Sequence, residues 1–389
     1  MSATPEPEHP APPPAKRRSL RRKLGFSIIV AVFCYAILEC VLTYLYLNGL
    51  LEPELLWVIE RSGTEQHMQA DDIRGYTIAG SPTRMACVTT DGRIESQGEL
   101  KGNNKGFPDR DNFRPQRSHP NESRWAVFGD SFTAGPYLEV NWPDRVEELA
   151  NKQGRAITLM NFSVFGGGLA NWWSVLTKYI EPQHYDLDGV IFLVFVNDLQ
   201  RTFYVCDDAH HLKFPDAPAK LACGFSATFN PESFESVDVN LMSHTRIVPP
   251  ANFDDVLAGE WRPEFKRPFD FYVFSRARRV LGNLLPAGDR EEPSDKTALS
   301  DEQQRLIDDM AAIFRRRKIP VFVMHFPIGS PVDEAQAFAK RLGATYVNAA
   351  EAFSDLSPEQ QSECWMIDGH WNQTGSDQFA EWFLRFSEN

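Results

Sequence analysis

Four short stretches, far apart in the chain, carry residue types able to do covalent chemistry. In "VFGDSFTAG", Val127 to Gly135, an apolar run stops at Gly129-Asp130 and presents Ser131. A serine hydroxyl is a poor nucleophile alone; it needs a base, a group that orients the base, and donors for the developing oxyanion. In "MIDGHWNQTG", Met366 to Gly375, Asp368 and His370 stand two residues apart, close enough for a carboxylate to steady an imidazole and stabilise its cation. In "NFSVFGGG" the run closes on three glycines, 166–168, where a backbone N–H can face a substrate oxygen with no Cβ in the way. In "FVND" the side-chain amide of Asn197 is a further donor.

Each stretch also has a plainer reading. Ser131 could be only a helix N-cap, the glycines could close a turn, Asn197 could cap a loop, and a single histidine is more often structural. The set is what weighs. Serine, glycine, asparagine and the Asp/His pair fall, in that order, at the ends of successive predicted strands or beside the last helix. Around them, Asp130 and Thr133 are expected to hold the turn by hydrogen bonds, and Asn161 to brace the glycine loop. Trp371, Trp172 and Trp173 either wall a pocket or pack the core, and packing is the expected role for Trp371.

The elements that must position these residues are legible from Arg124 onward. Short apolar runs at 124–128, 156–161, 189–196, 320–326 and 345–349 read as strands. Amphipathic segments at about 141–153, 169–181, 299–318, 332–342 and from 373 read as helices. Continuous Val/Ile/Phe runs separated by helices predict a parallel sheet covered on both faces. Ligands on such sheets bind at the carboxyl ends of the strands, where the four stretches lie. Residues 200–298 interrupt the pattern with prolines, two cysteines and "CDDAHH", and read as an insertion over the strand ends. His210 and His211 beside Asp207 and Asp208 suggest a metal site less than a solvated polar loop, because adjacent loop residues seldom close a coordination shell. No metal or organic cofactor is expected.

Taken together, "GDSFTAG", "NFSVFGGG", "FVND" and "DGHWN" resemble the four blocks of the SGNH/GDSL family of serine esterases and lipases, over roughly residues 122–389. The resemblance implies a flavodoxin-like three-layer α/β/α sandwich with a parallel sheet. It implies Ser131 as nucleophile, His370 as general base and then acid, and Asp368 as its orienter. The oxyanion hole would be the Ser131 and Gly166 amides with the Asn197 side chain. Three positions depart from the family pattern: Phe132 for a leucine, Phe195 for a glycine, and Asp368-x-His370 for the commoner D-x-x-H. The α/β-hydrolase elbow fits less well, because it needs G-x-S-x-G and Thr133 occupies the last position.

Ahead of this region, residues 1–15 are proline-rich and read as disordered, and "KRRSLRRK", Lys16 to Lys23, is densely basic. These form a tail, 1–23, before Leu24–Leu47, a run apolar except for Ser27, Glu39 and Thr43. At about 1.5 Å per residue a helix of this length crosses a hydrocarbon core of about 30 Å. A cleaved signal peptide would have a shorter apolar core and small residues at its end, whereas this run ends in Tyr44 and Tyr46. The basic flank puts the N-terminus in the cytoplasm and the rest outside it, which would be the periplasm if the cell is Gram-negative. Glu39 either marks contact with a membrane-protein partner or is a protonated glutamate that an otherwise apolar helix tolerates. Residues 48–121 read as an irregular lead-in packed on the main domain.

The net charge of -13 argues against a nucleic-acid partner. Cys34 and Cys40 fall within the apolar run; Cys87, Cys206, Cys223 and Cys364 would meet an oxidising compartment. Of the possible pairings, Cys206 with Cys223 is the most local. The resulting expectation is a membrane-anchored serine esterase acting on O-acyl esters, O-acetyl among them, of envelope glycans or lipids. The alternatives are an O-acyltransferase using the same residues and a non-catalytic binding module of the same fold.

Overall fold

The computed structural model describes residues 20–47, 55–61, 68–89, 92–195, 198–201, 203–206, 210–213, 235–238, 246–248, 252–261, 299–327 and 332–388. Helix α1, Leu20–Leu47, belongs to one compact unit of the chain, and every element below belongs to the other. Within α1, Leu24–Val41 is long and apolar enough to cross a membrane. Most of its apolar side chains are exposed, and Glu39 is buried.

The lead-in is more regular than its sequence suggests. Strands β1 (Leu55–Arg61), β4 (Thr83–Thr89) and β5 (Ile94–Leu100) pair antiparallel, with β4 in the middle. Between β1 and β4, β2 (Met68–Asp71) and β3 (Gly75–Ile78) form a hairpin. The central strand is buried along nearly its whole length, so "TRMACVT" shows none of the alternation by which a half-buried strand is read.

The main domain begins with β6 (Ser123–Phe128), the single-turn helix α2 (Ser131–Ala134) and α3 (Trp142–Lys152). Next come β7 (Ile157–Asn161), α4 (Leu169–Ser174), extended by a wider π-turn over Val175–Ile180, and β8 (Gly189–Val194). After β8 the inserted stretch supplies β9 (Val205–Cys206), β10 (His210–Lys213), β11 (Glu235–Asp238) and β12 (Arg246–Val248). Strands β9 to β11 form a small antiparallel sheet, while β12 pairs parallel with β1. The insertion is therefore stitched to the lead-in across about 190 residues of chain, a pairing no local pattern could announce. His210 and His211 lie in β10, while Asp207, Asp208 and Cys223 lie outside the described residues. Cys87 and Cys364 are buried free thiols.

The chain closes with α5 (Asp301–Arg317), β13 (Val321–His325), α6 (Val332–Leu342), β14 (Thr345–Asn348) and α7 (Gln373–Phe386). Strands β14, β13, β8, β6 and β7 make one parallel sheet in that order. Numbered along the domain this is 2-1-3-4-5, the flavodoxin-like winding, whose order reverses between β6 and β8.

Side-chain alternation splits the sheet between two cores. Ala126, Phe128, Val190, Phe192, Val194 and Val323 face α4, α5 and α6, against residues such as Trp172, Met310 and Phe338. Val127, Leu159, Ile191, Leu193 and Met324 face α3 and α7, against Trp142, Val146, Phe379 and Phe383. A strand apolar on both faces reads as a continuous run, which is why these five strands were legible.

Candidate active site

The switch point between β6 and β8 holds the serine. After Phe128, Gly129 makes a close turn, because a Cβ there would lie 2.1 Å from Thr133 Oγ1. Asp130, not Ser131, caps α2: its carboxylate accepts the Phe132 N–H at 3.0 Å. The plainer reading of Ser131 as an N-cap is thereby replaced. Its hydroxyl instead stands 2.9 Å from His370 Nε2. Thr133 holds the turn as expected: its Oγ1 accepts from Trp142 Nε1 at 3.4 Å.

His370 sits on a tight loop before α7, closed by the Met366 N–H donating to the His370 carbonyl at 2.7 Å. Asp368 serves this histidine twice. Its Oδ1 accepts the His370 backbone N–H at 3.1 Å, and its Oδ2 lies 3.0 Å from His370 Nδ1. The D-x-H spacing works because backbone and ring of one histidine are held by one carboxylate. Burial alone would raise the Asp368 pKa, but the ring and backbone N–H of His370 together hold the carboxyl below its usual range. It is thus ionised at neutral pH. Beneath it, burial and then the Asp368 charge push the Cys87 thiol well up, so that cysteine is an inert packing group.

Aromatic rings fix the imidazole. Phe132 lies over it with centroids 4.9 Å apart, and Tyr137 meets it edge-on at 5.3 Å. Phe132 in turn stacks on Phe195 at 3.6 Å, and Phe195 on Phe326 at 4.6 Å. Two of the departures from the family pattern, Phe132 and Phe195, are thus one packing unit behind the histidine. Trp371 is fully buried among the same rings, as expected of a core residue. Trp172 is also fully buried, and its indole donates to the Gly129 carbonyl at 3.1 Å.

The glycine loop is tied to the serine turn by the Val164 N–H, which donates to the Gly129 carbonyl at 3.1 Å. Asn161 braces both pieces: its amide donates to the Pro108 and Thr133 carbonyls at 3.0 Å each, and its oxygen accepts from Ser163. Neither the Ser131 nor the Gly166 amide meets an acceptor among the described residues. Gly166 has φ +78, and a Cβ on it would press to 3.1 Å from the Tyr204 ring. If that amide is an oxyanion donor, as the sequence resemblance implies, Gly166→Ala is expected to move it and lower kcat for an activated ester by about 10²-fold. Kinetics alongside a thermal melt check this: a kcat at the wild-type value would exclude the amide from the chemistry.

The structure thus brings together Ser131, His370 and Asp368, with Gly166 on the adjoining loop; Asn197 lies outside the described residues. A second strand-end histidine, His325, plays no part. It is buried, its Nδ1 is 3.1 Å from the Tyr346 hydroxyl, and burial lowers its pKa to about 4. Sequence reasoning missed Arg201, whose guanidinium pairs with Asp130 at 3.1 Å and Asp198 at 3.0 Å. It also missed the Phe132–Tyr137 cradle of the imidazole. Arg201 falls just inside the stretch without pattern, and no local signal marks it.

Neither a family model nor a curated protein matches the chain. Among solved structures, it is similar to AlinE4, an SGNH-hydrolase family esterase, at 14% identity over 62% of this chain and 84% of that one, with TM-score 0.29. It is similar to a psychrotrophic esterase, EstA from Pseudoalteromonas sp., at 12% identity over 69% and 100%, with TM-score 0.33. A lipase/acylhydrolase from Enterococcus faecalis gives 11% identity over 68% and 94%, with TM-score 0.34. Likeness this distant does not bear on the chemistry, which rests on the chain's own distances and sheet order.

Proposed function

We propose that the chain is a serine esterase of the SGNH type, anchored by α1 with its main domain outside the cytoplasm. The observation that carries this reading is the relay Asp368–His370–Ser131, with contacts of 3.0 and 2.9 Å between groups drawn from opposite ends of the domain. Nothing in ordinary packing requires a buried carboxylate, an imidazole and a hydroxyl in line.

In this reading the Ser131 oxygen attacks the ester carbonyl while its proton passes to His370 Nε2. The tetrahedral oxyanion takes hydrogen bonds from the Ser131 and Gly166 amides and the Asn197 side chain. Collapse expels the alcohol, which leaves with the proton returned by His370, and an acyl group remains on Ser131. Water, deprotonated by the same imidazole, then attacks the acyl carbon and releases the acid. Asp368 holds the ring in the tautomer with the proton on Nδ1 and stabilises the imidazolium.

For substrate we propose O-acyl esters, O-acetyl among them, of envelope glycans or lipids, because an apolar helix with a basic flank, acting as an anchor, would keep the chain at a membrane. The test uses the full chain in detergent micelles with p-nitrophenyl acetate, butyrate and octanoate, and with an O-acetylated glycan assayed for released acetate. Turnover of a short ester supports the reading. Folded protein that turns over none of them rejects it.

A further inference from the structure

Arg201 has no role in the reaction as written, yet it touches both the serine turn and the glycine loop. Its Nη1 donates to Asp130 Oδ2 at 3.1 Å and to the Gly167 carbonyl at 3.0 Å. It also stands 3.0 Å from Asp198 Oδ1. The first two bonds use both hydrogens that Nη1 carries, so the third contact is charge attraction, and Asp198 Oδ1 accepts no directed hydrogen bond. Both carboxylates are sealed from water, Asp130 at 1% and Asp198 at 0% exposure.

The partners are placed where they matter. Asp130 caps α2 and adjoins the Ser131 amide; Gly167 adjoins the Gly166 amide. Asp198 holds the Phe195 N–H with Oδ2 at 2.8 Å, just past the end of β8. Its carbonyl accepts the Leu169 N–H at 3.0 Å, at the start of α4. One guanidinium therefore ties together the serine turn, the glycine loop and the end of β8. Two buried carboxylates converge on its charge: burial and then the Asp130 charge push the Asp198 carboxyl well up, and the guanidinium opposes that rise.

We propose that Arg201 is a positioning residue that fixes the Ser131 amide relative to the Gly166 amide, and so sets how well the oxyanion is held. This rests on the esterase reading above. Arg201 touches neither nucleophile nor base, so its effect should fall on the transition state and leave ground-state binding nearly untouched.

The experiment compares wild type, Arg201→Met, Arg201→Lys and Ser131→Ala as full chains, by kcat and KM for p-nitrophenyl acetate and by thermal melting. The expected result for Arg201→Met is kcat per folded molecule about 10²-fold lower, the penalty of a displacement near 1 Å, with KM within about threefold. Arg201→Lys keeps the charge without the planar fork, and should recover about a tenth of wild-type kcat. If the methionine variant does not fold, the lysine variant decides. Wild-type kcat per folded molecule in the variants, or a loss that tracks only the unfolded fraction, overturns the positioning role. Wild-type turnover that Ser131→Ala abolishes, beside unchanged Arg201 variants, sinks this inference alone. Absence of any turnover that depends on Ser131 sinks the esterase reading and this inference together.

Discussion

Ser131→Ala and His370→Ala are each expected to lower kcat/KM for an activated ester by about 10⁴–10⁶-fold, with the double variant no slower than either single one. On the proposed esterase reading the two groups work as one device. The hydroxyl of Ser131, 2.9 Å from His370 Nε2, is a nucleophile only while that nitrogen can take its proton. Remove the imidazole and the serine is an ordinary alcohol; remove the serine and the imidazole has nothing to activate. The rate left over comes from the backbone donors, which neither change touches. A double-mutant cycle on p-nitrophenyl acetate measures this. Losses that multiply in the double variant would mean two independent contributions, and the relay would be wrong.

Asp368→Asn is expected to cost about 10³–10⁴-fold in kcat while the protein still folds. An asparagine oxygen can keep the bond to the His370 N–H that Asp368 Oδ1 accepts at 3.1 Å. Its amide would then face Nδ1 as a donor. That stabilises the tautomer with the proton on Nε2, so Ser131 meets an N–H where it needs a lone pair. The aspartate also carries a pH prediction. Its folded pKa lies below the usual carboxylate value. Its contribution is therefore fully present above the ordinary carboxylate pKa and lost only as pH falls through the lowered folded value. Asp368 itself should therefore add no pH dependence to wild-type kcat between pH 5 and 9.

The five strands, their helices and the Ser131, Asp368 and His370 contacts were all legible in the chain. The strands are apolar on both faces, and the two loops that carry Ser131, Asp368 and His370 are short and locally determined. The lead-in was harder to read because β4 pairs with β1 across the β2–β3 hairpin and β12 joins from the insertion. Those pairings are fixed by burial and not by local pattern. Ser131 was ambiguous because "GDS" offers two capping side chains in a row, and only the geometry shows that Asp130 takes the cap. Arg201 was invisible for a related reason. A lone arginine past a strand end looks solvated until two buried carboxylates, 71 and 3 residues before it, are seen to converge on it. Phe195, which stands where the family carries glycine, supports the histidine through Phe132.

The most direct test of the relay is covalent. The soluble fragment from about residue 52, or the full chain in detergent if that fragment does not fold, is treated with a fluorophosphonate probe and digested, and the labelled peptide is read by mass spectrometry. Label on Ser131 that disappears in His370→Ala is the predicted result, since only a base-activated hydroxyl displaces fluoride at a useful rate. Folded protein with no label on Ser131, or with label that persists without His370, would contradict it.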